Sequence, residues 1–124
     1  MNCLGIDYGS RRIGLAFSVD HIISPLEVIQ NDQYAISRIL SFCQNHAIHK
    51  VYVGLSTGEF AQTIHIFIDK LRSVLQLPIE TVEEAVSTIE ADYIFKTNRK
   101  KNKNYYQNID SIAAAVILSR AIHV

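Results

Sequence analysis

Leu4-Gly5-Ile6-Asp7-Tyr8-Gly9-Ser10-Arg11-Arg12-Ile13-Gly14-Leu15-Ala16-Phe17-Ser18 is the stretch that decides how the chain is read. A short apolar run ends in an acid. A tight turn centred on Gly9 follows, and a second run opens on two arginines and alternates toward Phe17. This predicts a β-hairpin with Asp7 at the exit of its first strand. A carboxylate at the rim of a rigid sheet is well placed to hold a metal or act in catalysis. Asp and Gly also form turns for backbone reasons alone. The role of Asp7 therefore depends on the partners the rest of the chain brings to it.

Downstream, Ile22 to Ile29 reads as a third extended run, with Pro25 favouring an edge position or a bulge because proline cannot donate to the ladder. Asn31-Asp32 is a helix start signal, and Ala35, Ile36, Ile39, Leu40 and Cys43 recur at helical spacing through about Asn45. Lys50 to Leu55 is β-branched and apolar, the pattern of a strand buried on both faces of a parallel sheet. Ile64, Phe67, Ile68, Leu71 and Leu75 make a helical stripe from about Glu59 to Leu75, and Pro78 to Val82 is a fifth short strand. Ser87-Thr88-Ile89-Glu90 fits a capping box and predicts a helix to about Lys96. Asn98 to Asn104 reads as a polar loop. Asn108 stands where it can cap a last helix whose buried face is Ile109, Ile112, Ala113, Val116 and Ile117. The expected fold is α/β: a mixed five-stranded sheet, three antiparallel strands and then parallel ones, flanked by helices.

The bulk properties narrow the function classes. At 124 residues, one domain spanning 1–124 is expected. A hydrophobic fraction of 48% with 19% charged residues suits a compact globule and argues against disorder. The net charge is zero, so nucleic-acid binding must come from a local patch and not from a global field. Cys3 and Cys43 make neither a disulfide framework nor a zinc site, and buried reduced thiols fit a reducing cytoplasm. The sequence has no apolar run long enough to span a membrane and no secretion signal, so a cytoplasmic location and no membrane partner are expected.

Three places supply acids. Asp7 ends the first strand, Glu83 and Glu84 follow the strand at 79–82, and Asp110 lies in the first turn of the last helix. In open α/β sheets, ligands gather at the carboxyl ends of strands, where Asp7 and the Glu83/Glu84 pair both sit. Asp110 shares a helix side with Ala113, Ala114 and Ile117, and the small alanines let that helix come close. Three converging carboxylates call for a cation, and all-oxygen ligands favour Mg²⁺ or Mn²⁺. Two such ions can clamp a phosphodiester. Spacing alone does not distinguish Glu83 from Glu84, and each acid taken singly also fits a solvated loop or a helix-dipole role.

Lys96, Arg99, Lys100, Lys101 and Lys103 are five of the twelve basic residues, and Tyr105 and Tyr106 follow them. Cations beside aromatics suit phosphate contact with base stacking, although most charge runs are solvated loops. This run leads directly into the helix bearing Asp110. His46 and His49 lack a further metal ligand and read as surface histidines. No dinucleotide or Walker pattern is present.

Several of these segments carry a family likeness. Gly5-Ile6-Asp7-Tyr8-Gly9-Ser10-Arg11-Arg12-Ile13-Gly14-Leu15-Ala16 resembles the N-terminal signature of the YqgF family, described as Holliday junction resolvases and as pre-16S rRNA nucleases. Val53-Gly54-Leu55 is similar to its Val-Gly-Leu-Pro strand end. Glu83 to Ala91 resembles its Asp-Glu-Arg-Leu-Ser-Thr-x-Glu-Ala segment, and Asp110 to Leu118 its Asp-x-x-Ala-Ala-x-x-Ile-Leu helix. The resemblance implies an RNase H-like fold and a divalent-metal nuclease, with Asp7, Glu84 and Asp110 matching the proposed catalytic and metal-holding acids. The leading reading is that Arg11, Arg12, Lys96, Arg99, Lys100, Lys101 and Lys103 grip the phosphates of pre-rRNA or branched DNA, with ribosomal particles as a further partner and monomer or homodimer left open. The chain departs from the pattern at Ala85, where the family has arginine, and at Ser56-Thr57-Gly58-Glu59, where it runs through Pro-x-Asn. Two rivals follow. One is a non-catalytic RNA- or ribosome-associated protein of the same fold. The other is a phosphate-binding kinase or ATPase of the actin type, which needs two lobes where 124 residues supply one.

Overall fold

The computed structural model describes residues 1–56, 58–83 and 105–122, the side chains of 105–110 excepted. Among these, six strands form one mixed sheet. β1 (Cys3–Tyr8), β2 (Arg12–Val19) and β3 (Ile22–Pro25) are antiparallel neighbours, and β4 (Ile29–Gln30) also pairs with β2. After α1 (Ala35–Asn45), β5 (Lys50–Leu55) lies parallel to β1. After α2 (Phe60–Val74), β6 (Ile79–Glu83) lies parallel to β5. The order across the sheet is β3-β2-β1-β5-β6, and α3 (Tyr105–Ile122) closes the described chain.

The pleat sorts side chains into two layers. Leu4, Ile6, Ile13, Leu15, Val51 and Val53 pack with the buried faces of α1 and α2. Cys3, Ala16 and Tyr52 pack on the other side with Ala114, Ala115, Ile117 and Leu118 of α3. β1 and β5 are covered on both faces, which is why their sequences are nearly all apolar. The helices stand where their stripes placed them: Ala35, Ile39 and Cys43 of α1, and Ile64, Phe67, Ile68 and Leu71 of α2, are buried.

Two details differ from expectation, and the β2–β3 turn adds a third feature. The run from Ile22 to Ile29 is two strands, because it bends away after Pro25 and returns at Ile29; Leu26 N–H still donates to the Leu15 carbonyl at 2.8 Å across the break. The sheet therefore has six strands where five were expected, with β4 a two-residue addition. The β2–β3 turn is made by Asp20 and His21, both at positive φ, the conformation of a two-residue hairpin turn built without glycine. The last helix begins at Tyr105, three residues before Asn108. The expected capped helix at 87–96 and the loop at 98–104 lie outside the described residues. No helix among the described residues is long and apolar enough to cross a membrane.

Candidate active site

Asp7 is the penultimate residue of β1 and is half-buried. The strand period places it on the same face as Cys3 and Gly5, the face covered by α3. Gly5 explains how α3 gets there. A Cβ at this position would lie 2.6 Å from Leu118 Cγ and 2.8 Å from the Ala114 carbonyl oxygen. The helix backbone therefore rests on β1 where β1 has no side chain. Asp7 is two residues past this contact and Asp110 one turn before Ala114. Each is about 6–7 Å along its own element from the same point. The Asp110 side chain itself is outside the described residues.

Glu83 is the last residue of β6. Val82 packs in the α3 layer and Ile79 in the other. The alternation therefore sends the exposed Glu83 to the side opposite Asp7. Glu83 pairs with Leu55 at the carboxyl end of the sheet, two strands from β1. Glu84 lies outside the described residues, as do Lys96, Arg99, Lys100, Lys101 and Lys103. Among the described residues no group of three His, Cys, Asp or Glu is placed to hold a metal; Glu84 and the Asp110 side chain are not among those residues.

The β1–β2 turn is rigidly held. A Cβ on Gly9 would meet the Arg12 carbonyl oxygen at 2.6 Å, so close approach is what requires glycine there. Asn31 Nδ2 donates to the Gly9 carbonyl at 2.7 Å, and Asn31 N–H donates to the Arg11 carbonyl at 2.9 Å. Arg11 and Arg12 are both exposed on this braced turn. The brace was missed in the sequence, where Asn31 read only as a helix start. Tyr8 turns to the opposite face and its ring packs against Phe67, tilted by 32° with centroids 4.3 Å apart.

Two hydroxyls are buried. Ser56 Oγ, just past β5, and Ser111 Oγ, next to Asp110, have no hydrogen-bond partner among the described residues. Ser111 is 0% exposed. His46 and His49 have structural roles: His46 stacks on Phe42 at 4.0 Å, and His49 Nδ1 accepts the Asn2 N–H at 2.9 Å. Burial pushes the Cys43 thiol up to about 11, so it is inert at neutral pH.

The pattern of the RuvX family, described as Holliday junction resolvase, matches residues 1–123. A protein of Chloroflexus aggregans named as a candidate pre-16S rRNA nuclease is 32% identical over 93% of this chain and 88% of its own length. One of the same name from Thermosynechococcus vestitus is 27% identical over 97% of this chain and 86% of its own. Among solved structures, Thermus thermophilus RuvC superposes with a TM-score of 0.66 at 14% identity, covering 98% of this chain and 96% of that one. That likeness shows the fold, which is RNase H-like, as the resemblance implied.

Proposed function

The chain belongs to the RuvX family of Holliday junction resolvases, and from that premise we propose that it is a divalent-metal-dependent nuclease that hydrolyses phosphodiester bonds in structured nucleic acid. The observation that carries this reading is the Gly5 contact, which seats the Asp110-bearing helix against the strand bearing Asp7. Asp7, Glu84 and Asp110 are the proposed ligands. The donor set fits a hard ion, being carboxylate oxygen throughout. Mg²⁺ or Mn²⁺ bound there would polarise the phosphate and lower the pKa of an attacking water. The chain's own residues do the positioning. Arg11 and Arg12 stand exposed on a braced turn at the rim, where they can neutralise phosphates, and the 96–103 cations extend that contact. The placement of Glu83 on the far face supports Glu84 as the third acid.

Two substrates suit the site, a four-way DNA junction and a precursor of 16S rRNA, following the names of the family and of the curated relatives. Both are offered to the protein with Mg²⁺ or Mn²⁺ and again with a chelator. Metal-dependent cutting of one identifies the substrate. Tight binding of either without cutting, at any metal concentration, would replace this reading with that of a nucleic-acid-binding protein, as the departures at Ala85 and Ser56 to Glu59 allow.

A further inference from the structure

A hollow of about 380 Å³ opens beside α1 and α2, in the layer into which Tyr8 turns. Its walls are mixed. Ile36, Ile66 and Phe67 are apolar, and Ile66 is 58% exposed. Tyr8, Asn31, Gln33 and Thr63 bring a phenol, two amides and a hydroxyl, and Lys70 brings an ammonium. Asp32 also lines the hollow, with its carboxylate paired to Arg38 at 3.0 Å. Lys70 takes part in no ion pair among the described residues, so one lining cation has no paired acid. Asn31 Nδ2 is committed to the Gly9 carbonyl at 2.7 Å, which fixes the amide and leaves its Oδ1 to accept. Tyr8 directly follows Asp7 in β1 and points to the other face.

We propose that this hollow receives one unpaired nucleotide of the nucleic acid whose phosphate lies at Asp7. A nucleobase is flat and apolar on its faces and carries donors and acceptors around its edge. The walls match both parts of that description. Ile36, Ile66 and Phe67 offer apolar area to a face, and Asn31, Gln33 and Thr63 offer hydrogen bonds to an edge. An amide presents a donor and an acceptor together, which is how Asn and Gln read bases. Lys70 supplies the counter-charge for the attached phosphate. The volume is at the small end of ligand pockets and suits a single nucleotide. A base still stacked in a duplex cannot enter, and extraction costs least where the nucleotide is already unpaired. A strand crossing the end of β1 with a phosphate on the Asp7 side meets Tyr8 next, because neighbouring strand residues face opposite ways. The hollow therefore adds a selectivity that carboxylates alone lack, a demand for an unpaired nucleotide beside the cut. Asn31 joins the two places, since the side chain that lines the hollow also braces the turn bearing Arg11 and Arg12. The path of the strand rests on the nuclease reading, whereas the binding of a nucleotide rests on the hollow alone.

Titration of the whole chain with the four nucleoside monophosphates, and with inorganic phosphate, in the presence of a chelator tests the hollow without any cutting. Nucleotides are expected to saturate the protein, and phosphate alone to bind far more weakly. Lys70→Gln should weaken all four nucleotides about threefold, as the loss of one exposed charge contact. Gln33→Leu should change their ranking, since an amide that reads the base edge is gone. Ile66→Glu should abolish binding with an unchanged circular dichroism spectrum, because its carboxylate repels the phosphate. On whichever substrate is cut, removing the base of the unpaired nucleotide beside the cut should raise KM roughly tenfold and leave kcat nearly unchanged. In Ile66→Glu the substrates with and without that base should behave alike. Inorganic phosphate binding as tightly as any nucleotide, nucleotide binding indifferent to Ile66→Glu, or a KM indifferent to the missing base would overturn the proposal. Nucleotides bound as described with neither substrate cut would sustain the hollow while sinking the nuclease reading. Metal-dependent cutting with no nucleotide bound would do the reverse.

Discussion

Gly5 and Ala47 show how single positions govern this fold in opposite ways. Gly5 is required by space: an added methyl would press on the Ala114 carbonyl and Leu118. Gly5→Ala is expected to cost about 1–3 kcal/mol by overpacking, read as a lower urea midpoint, and to slow cleavage as well by lifting α3 away from Asp7. Ala47 is the reverse case, an alanine where glycine fits better. It sits at φ 50 just after α1, and Ile48 N–H donates to the Cys43 carbonyl at 3.0 Å, the closing bond of a Schellman motif. Ala47→Gly should stabilise the protein by about 1 kcal/mol, since the left-handed conformation strains a residue with a Cβ. Urea denaturation would measure it. Neither position was legible beforehand. The alanines of α3 announced a close approach, but the glycine across from them read only as part of a strand. Nothing in an alanine announces a positive φ.

At the scale of elements, periodicity made α1, α2 and β5 readable, because each buries a face whose pattern needs no knowledge of its partners. The break between β3 and β4 was only half readable. Pro25 marked a weak point in the ladder, but what holds the chain there is Leu26 bonding across to Leu15, a pairing that the sequence does not spell out. The start of α1 is a local device: Asp32 Oδ1 accepts the Tyr34 N–H at 2.9 Å and pairs with Arg38 at 3.0 Å. The Tyr34 bond, with help from Arg38, holds the Asp32 carboxyl below its ordinary value of 3.8. A carboxyl lowered by folding contributes stability above its unfolded pKa and loses it as pH falls through the folded one. The melting temperature of wild type should therefore exceed that of Asp32→Ala most at neutral pH, and the gap should narrow below pH 3.8.

For the whole molecule, zero net charge makes any nucleic-acid affinity a matter of distribution. The proposed grip draws on the cations at 96–103 and on Arg11 and Arg12, which stand exposed on the turn that follows Asp7. Replacing Lys100, Lys101 and Lys103 with glutamine should weaken binding and flatten its salt dependence by nearly one unit of log–log slope for each phosphate no longer neutralised. A filter-binding series over salt concentration would read both. The sequence offered the candidate acids at strand ends and in the first turn of the last helix; Asp110 in fact lies a turn further in, because that helix begins at Tyr105. The geometry of the site was not legible, because Asp7 and Asp110 are far apart in the chain and are brought toward each other only by a helix resting on a glycine. The most direct test of the account is the metal-dependent cleavage rate of Asp7→Asn, Asp110→Asn and the double variant. Acids that serve one metal act as a unit, so each single change is predicted to cost roughly a hundredfold or more and the double variant little beyond that. Either single variant cutting at the wild-type rate would contradict it.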